Sequence, residues 1–240
     1  LSINPKQKLL LQACVLQGKP VLDAWEEWKN AVDIEQLDAA SNALLSQLYC
    51  NLATHQVDDF QMARLKGIYK RNWYGNQLLL KKLQTILQTC QTSKMDTVVL
   101  GDASIVAGYG KDCCQHPLED INILVHPVDL EKAIAILAQA AWNLVERQYS
   151  YGQLQDEAKT KLHLRGDLFW AIPQEHTRKQ LWANAFPCQI GDINTFILSL
   201  TDLFLHLSLR TFLFRYNPKH YWFSRWDASF EAASSRNGLD

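Results

Sequence analysis

The sequence predicts an α+β protein: a small mixed sheet with helices before and after it. Apolar residues recur at helical spacing from the start to about residue 91. Thr97 to His126 reads as strand, glycine turn, short helix, loop and strand, and Lys161 to Arg165 alternates with the period of a strand. Helices, then strands, then helices again argue for one sheet core with helical flanks. The expected layout is a helical region over 1–92, the core over 93–175 and a second helical region over 176–240.

In the first region Leu9, Leu10, Cys14 and Val15 share a helix face, and Trp25 and Trp28 lie three apart with Glu26 and Glu27 turned away. Leu37, Ala40, Leu44, Leu48 and Leu52 form another stripe. Asp58 is placed as the cap of a long helix, with Gln61 reaching back to it, and Leu79, Leu83, Ile86, Leu87 and Cys90 share one face near its end. The basic stretch Lys66 to Tyr74 mixes cations with aromatics, as nucleic-acid surfaces do, but it reads first as the solvated face of an amphipathic helix.

The polar break Thr89 to Thr97 opens the core. After Val125, Pro127 precedes a helix from about Asp129 carrying Leu130, Ile134, Leu137 and Ala141, and a strand is expected near Leu144 to Arg147. Tyr149 to Lys159, rich in Gln, Asp, Glu and Gly, reads as a loop. From Gln174 the reading is helical, with a turn through Phe186 to Gly191 and an apolar helix from about Leu198 to Phe214. Asn217 and Pro218 end it, and an aromatic segment runs from His220 to Phe230.

Hydrophobic content of 48% with 20% charged residues is that of a globular protein, and a net charge of −1 gives no global attraction to nucleic acid or to an anionic membrane. No apolar run is long enough to cross a bilayer and no signal peptide opens the chain, so a cytoplasmic location without a membrane partner is expected. The six cysteines (Cys14, Cys50, Cys90, Cys113, Cys114, Cys188) show no metal-binding spacing and read as reduced thiols.

On the strand beginning at Asp120, Asp120 and Asn122 point one way and Ile121, Ile123 and Val125 the other, so the polar pair is expected on a solvent-facing side. A carboxylate and an amide opposite a glycine turn that enters a helix make the layout of a metal and phosphate site. Lys161, His163 and Arg165 share the polar face of the later strand, while Leu162 and Leu164 face the core.

The segments "LGDAS" and "HPLEDINILV" are similar to the pattern Leu-Lys-Gly-Ala-Ala … Arg-Pro-Met-x-Asp-Ile-Asp-Leu-Leu-Val of the uncharacterised nucleotidyltransferase family, a branch of the polymerase-β-like nucleotidyltransferase superfamily. "AWEEWKN", "NQLLLKKLQTIL", "KLHLRGDL" and "LFLHLSLR … KHYWFSRW" follow in the family's order, so the resemblance spans nearly the whole chain. It implies a nucleotidyltransferase core and further helices beyond residue 240, so that the chain, which lacks an initial Met, reads as part of a longer protein.

In active members of that superfamily two carboxylates on one strand and a third on its neighbour hold two magnesium ions about 3.5–4 Å apart. The resemblance places Asp120 at the first of these positions, Asn122 at the second and Lys161 at the third, with Asp156 and Asp167 as candidates to replace the last. Gly101 and Asp102 stand where the family has Lys-Gly, Ser104 opens the next helix, and His116 stands for the Arg before the proline. His206 and His220 match the family's late histidines and read as packed or hydrogen-bonded residues.

Three functions follow. The first is a family member with a degenerate two-metal site, magnesium weak or lost, that binds a nucleotide or another anion through Gly101, Asp102, Ser104, Lys161, His163 and Arg165 with weak or no transfer. The second is an active magnesium-dependent transferase of nucleoside monophosphate to an acceptor hydroxyl, with Asp120 and Asn122 as metal ligands. The third is a structural or interaction subunit with a protein partner. If Lys161 replaces a carboxylate, it is expected to form an ion pair with Asp120.

Overall fold

The computed structural model describes residues 3–109, 117–168 and 175–213. They form two compact units, one of residues 3–76, 117 and 211–213 and one of residues 77–109, 118–168 and 175–210. The expectations for Cys113, Cys114, His116, Phe214, Asn217, Pro218 and the segment from His220 to Phe230 lie outside the described residues.

The first unit is helical. Helix α1 (Pro5–Val15) starts at Asn4, whose carboxamide accepts the Gln7 N–H at 2.8 Å while the Gln7 side chain accepts the Asn4 N–H at 3.2 Å. Two of the helix's orphan donors are thereby satisfied, and Pro5 fits a first turn that needs no N–H. Helix α2 (Lys19–Ala31) buries Trp25 and Trp28 with ring centroids 5.8 Å apart, and Glu26 and Glu27 are exposed as the spacing predicts. Helix α3 (Ala39–Thr54) is capped by Asp38, which accepts the Ser41 N–H at 2.9 Å and the Ser41 hydroxyl at 2.8 Å. Leu10, Cys14, Leu44, Leu48, Leu52 and Leu65 close the core of this unit.

Helix α4 (Gln61–Thr92) contributes its residues to 76 to the first unit and the remainder to the second. Its start corrects the expected cap by one residue. The carboxylate of Asp59, not Asp58, accepts the Gln61 N–H at 2.8 Å and is also paired with Lys29 at 2.6 Å. The helix outlasts the predicted break at Thr89. It closes only where the Met95 N–H reaches the Cys90 carbonyl at 3.0 Å and Lys94 turns to φ 56°.

The second unit is built on a seven-stranded mixed sheet in the order β3-β4-β5-β2-β1-β7-β6. Its strands are β1 (Thr97–Leu100), β2 (Asp120–Val125), β3 (Asn143–Gln148), β4 (Tyr151–Gln155), β5 (Lys161–Arg165), β6 (Phe186–Ile190) and β7 (Ile193–Ile197). The helices α5 (Asp102–Tyr109), α6 (Leu130–Gln139), α7 (Glu175–Asn184) and α8 (Leu200–Leu213) connect or follow them. Strand β1 runs antiparallel to β2 and parallel to β7, and β2 runs parallel to β5. One face, with Val99, Ile121, Ile123, Leu162 and Leu164, packs with Leu83, Ile86, Leu87 and Cys90 of α4 and Leu130, Ala133, Ile134 and Leu137 of α6.

The structure corrects three expectations. The loop expected from Tyr149 to Lys159 contains β4, whose Gly152 and Leu154 are buried while Tyr151, Gln153 and Gln155 lie on the other face. A Cβ on Gly152 would stand 2.8 Å from Ile134 Cδ1, so the glycine that made this segment look like a loop is what lets α6 approach the strand. The turn expected through Phe186 to Gly191 is a hairpin of β6 and β7, with Gly191 at φ 61° in a short loop. Finally, α6 ends at Gln139, and Ala141 is exposed at φ 64°.

Candidate functional site

At one end of the sheet the last residue of β1 meets the first residues of β2 and β5. The register sets Leu100 beside Asn122, Asp120 beside Lys161, Asn122 beside His163 and Leu124 beside Arg165. Lateral neighbours in a ladder point to the same side, so Asp120, Asn122, Lys161, His163 and Arg165 occupy one face, with Ile121 and Ile123 buried on the other. That arrangement follows the strand parity of the sequence.

The exposure of the face differs from expectation. The Asp120 side chain is 20% exposed, but Asn122 is only 3% exposed as a residue and lies within the sheet rather than on a solvent-facing side. Its Nδ2 donates to Asp120 Oδ1 at 2.7 Å, and among the described residues its buried Oδ1 has no hydrogen-bond partner.

The second partner of Asp120 also differs. His163 Nε2 lies 3.4 Å from Asp120 Oδ2, with the imidazole 14% exposed. Among the described residues the expected ion pair of Asp120 with Lys161 does not form, and Lys161, at the first position of β5, is exposed. His163 stands one pleat repeat further in, where the sheet keeps it on the carboxylate.

Strand β4 adds residues to this face that sequence reading left in a loop. Tyr151 Oη lies 2.7 Å from His163 Nδ1 and 3.3 Å from Gln153 Oε1. The Arg165 guanidinium carbon stands 5.1 Å from the centre of the Tyr151 ring. A signal for this strand was present in the alternation of Tyr151, Gln153 and Gln155 with Gly152 and Leu154.

Gly101 turns the chain from β1 into α5 at φ 66°, a conformation glycine adopts without steric penalty. Its carbonyl accepts the Ser104 N–H at 3.1 Å and the Ser104 hydroxyl at 2.7 Å, so the one hydroxyl proton of this buried serine is committed to its own turn. Asp102 is the first residue of α5, an acidic side chain at the helix N-terminus.

The replacement carboxylates are engaged elsewhere. Asp156 is 2.5 Å from Lys82 Nζ and accepts the Thr160 N–H at 2.8 Å. Burial alone would raise its pKa, but the bonds from Lys82 and Thr160 outweigh that and hold it below the usual carboxylate range. Asp167 accepts from Arg178 Nε at 2.8 Å and from the Ser150 hydroxyl at 2.7 Å. Among the described residues no three His, Cys, Asp or Glu side chains converge as a metal-holding group. His206 of α8 is buried, as expected for a packed histidine.

The sequence matches the family described as "Uncharacterised nucleotidyltransferase" over residues 27–230. Among solved structures, a crystal structure of ANT(2'')-Ia in complex with adenylyl-2''-tobramycin is 12% identical, with 65% of this chain and 87% of that chain covered at a TM-score of 0.50. A solution structure of the antibiotic-resistance factor ANT(2'')-Ia is 10% identical, covering 67% and 84%, with a TM-score of 0.51. At such identities the likeness is one of fold. No curated protein sequence matches.

Proposed function

Because the chain belongs to the uncharacterised nucleotidyltransferase family, we propose that the polar face at the Asp120 end of the sheet binds a nucleotide or another anionic small molecule, with weak or no nucleotidyl transfer. One observation carries this reading. The carboxylate of Asp120 is answered from within the protein, by Asn122 Nδ2 at 2.7 Å and His163 Nε2 at 3.4 Å. A two-ion centre needs several anionic oxygens around hard cations, and one carboxylate beside an amide, an imidazole and a lysine does not fit that donor set. Anion binding at this face therefore proceeds without magnesium.

What these residues offer instead is fixed positive charge. Lys161 stands beside Asp120 in register and is exposed, and Arg165 lies on the same face. A phosphate meeting Lys161 gains a charge-assisted contact at a rim where no deep desolvation opposes it. Asp102 at the α5 terminus repels that phosphate, which favours entry from the β5 side.

The test is equilibrium binding of a nucleoside triphosphate to the chain in excess chelator. Affinity is expected without magnesium, and Lys161→Ala is expected to weaken it about three- to tenfold, the loss of one partly exposed charge-assisted bond. Affinity that arises only when magnesium is added would sink this reading.

A second reading is favoured by the buried Asn122 Oδ1. A carbonyl oxygen with no partner among the described residues, beside a carboxylate, is a ligand for a cation, and an active magnesium-dependent transferase would use it so. Incorporation of labelled nucleoside monophosphate into an acceptor, dependent on magnesium and lost in Asp120→Asn, would establish that reading in place of the first.

A further inference from the structure

The positions around Asp120 form a chain of contacts: Gln153, Tyr151, His163, Asp120, Asn122, drawn from β4, β5 and β2 in turn. We infer that Tyr151 is a positioning residue of this site, holding His163 so that the imidazole, rather than a divalent cation, answers Asp120. This rests on the reading that the polar face around Asp120 is the ligand site, and it names what regulates cation entry there.

The proton placement follows from the geometry. A carboxylate 3.4 Å from Nε2 is attracted by an N–H and repelled by a lone pair, so Nε2 carries the proton. In the tautomer with the proton on Nε2 alone, Nδ1 is an acceptor, and the Tyr151 hydroxyl at 2.7 Å is placed to donate to it. The hydroxyl has one proton, and its contact with Gln153 is longer at 3.3 Å, so the shorter contact to Nδ1 takes it.

The two contacts of the imidazole are unequal. The one to Asp120 is loose, whereas the one to Tyr151 is short, so ring orientation depends chiefly on Tyr151. Tyr151 is itself fixed, by its place in β4 opposite Arg165 and by the guanidinium over its ring. Both Asp120 oxygens thus face internal N–H groups, in the positions from which a cation would draw its ligands.

The experiment uses manganese(II) alone, with no nucleotide, so its outcome is separate from that of the triphosphate titration. Binding to the full chain is read by water-proton relaxation in the wild type, Tyr151→Phe, His163→Gln and the double variant His163→Gln/Asp120→Asn. Tyr151→Phe keeps the ring beneath Arg165 and removes only the hydroxyl, so folding is preserved. Affinity is expected to rise about three- to tenfold in Tyr151→Phe and at least as much in His163→Gln, the effect of releasing one hydrogen-bonded group. In the double variant the gain should vanish. Alongside this, the nitrogen-15 spectrum of His163 in the wild type should show the Nε2–H tautomer, with Nδ1 shifted as a hydrogen-bond acceptor and that shift lost in Tyr151→Phe. Unchanged or weaker manganese binding in both single variants, or a wild-type ring protonated on Nδ1 alone, overturns the inference.

Discussion

Lys82 shows at the scale of a single residue how the second unit is tied together. Its ammonium reaches Asp156 and Thr160, both at 2.5 Å, joining α4 to the turn between β4 and β5. Because Asp156 has its pKa lowered in the folded state, the stability it contributes is present above the ordinary carboxylate range and lost as pH falls through the folded value. Lys82→Met is therefore expected to lower stability by about 1–2 kcal/mol at pH 7, the partly exposed lysine keeping the loss below that of a fully buried pair. Denaturant titrations at pH 7 and near pH 3 should show the gap between variant and wild type closing in acid. The same scale explains what the sequence disclosed of the site. Parity placed Asp120 and Asn122 together, and the family resemblance placed Lys161 beside them, but neither says which side chain of β5 reaches the Asp120 carboxylate. Nothing local in "KLHLR" separates Lys161 from His163 in that respect.

At the scale of elements, β1, β2, β3 and β5 were legible, and of these all but β3, which is exposed along its length, carry apolar side chains at buried positions. β1, β2 and β5 announced themselves through valine, isoleucine and leucine. β4 did not, because one of its two buried positions is Gly152, and β6 did not, because Pro187 and the nearby Gly191 read as turn residues. Pro187 is tolerated since β6 is an edge strand. The glycine in β4 makes a measurable claim. Gly152→Val would drive a side chain into Ile134, whose Cδ1 lies only 2.8 Å from where the new Cβ would stand. Overpacking of this kind is expected to cost about 1–3 kcal/mol. Thermal unfolding should report it, and a variant as stable as the wild type would mean that α6 does not sit on β4 as described.

At the scale of the whole molecule, the α+β class was legible, and so was the family, because helical and strand periodicities fall in separate blocks and the motif lies at their join. The hairpin of β6 and β7 was not, so the sheet extends to Ile197 through residues that read as helix and turn. Among the described residues no helix is long and apolar enough to cross a membrane. Each of the two cores holds a covered thiol. Cys14 lies in the core of the first unit and Cys90 in that of the second, and burial raises both, that of Cys90 to about 11. A thiol kept protonated and covered reacts with an alkylating reagent only when its surroundings open. Peptide mapping after timed alkylation at pH 8 should find Cys188, half-buried in an edge strand, modified well before either of them. Each buried sulfur is then a clock for its own core: denaturant that speeds Cys14 and Cys90 in step reports one cooperative opening, while separate rates give two unfolding free energies from one unlabelled chain.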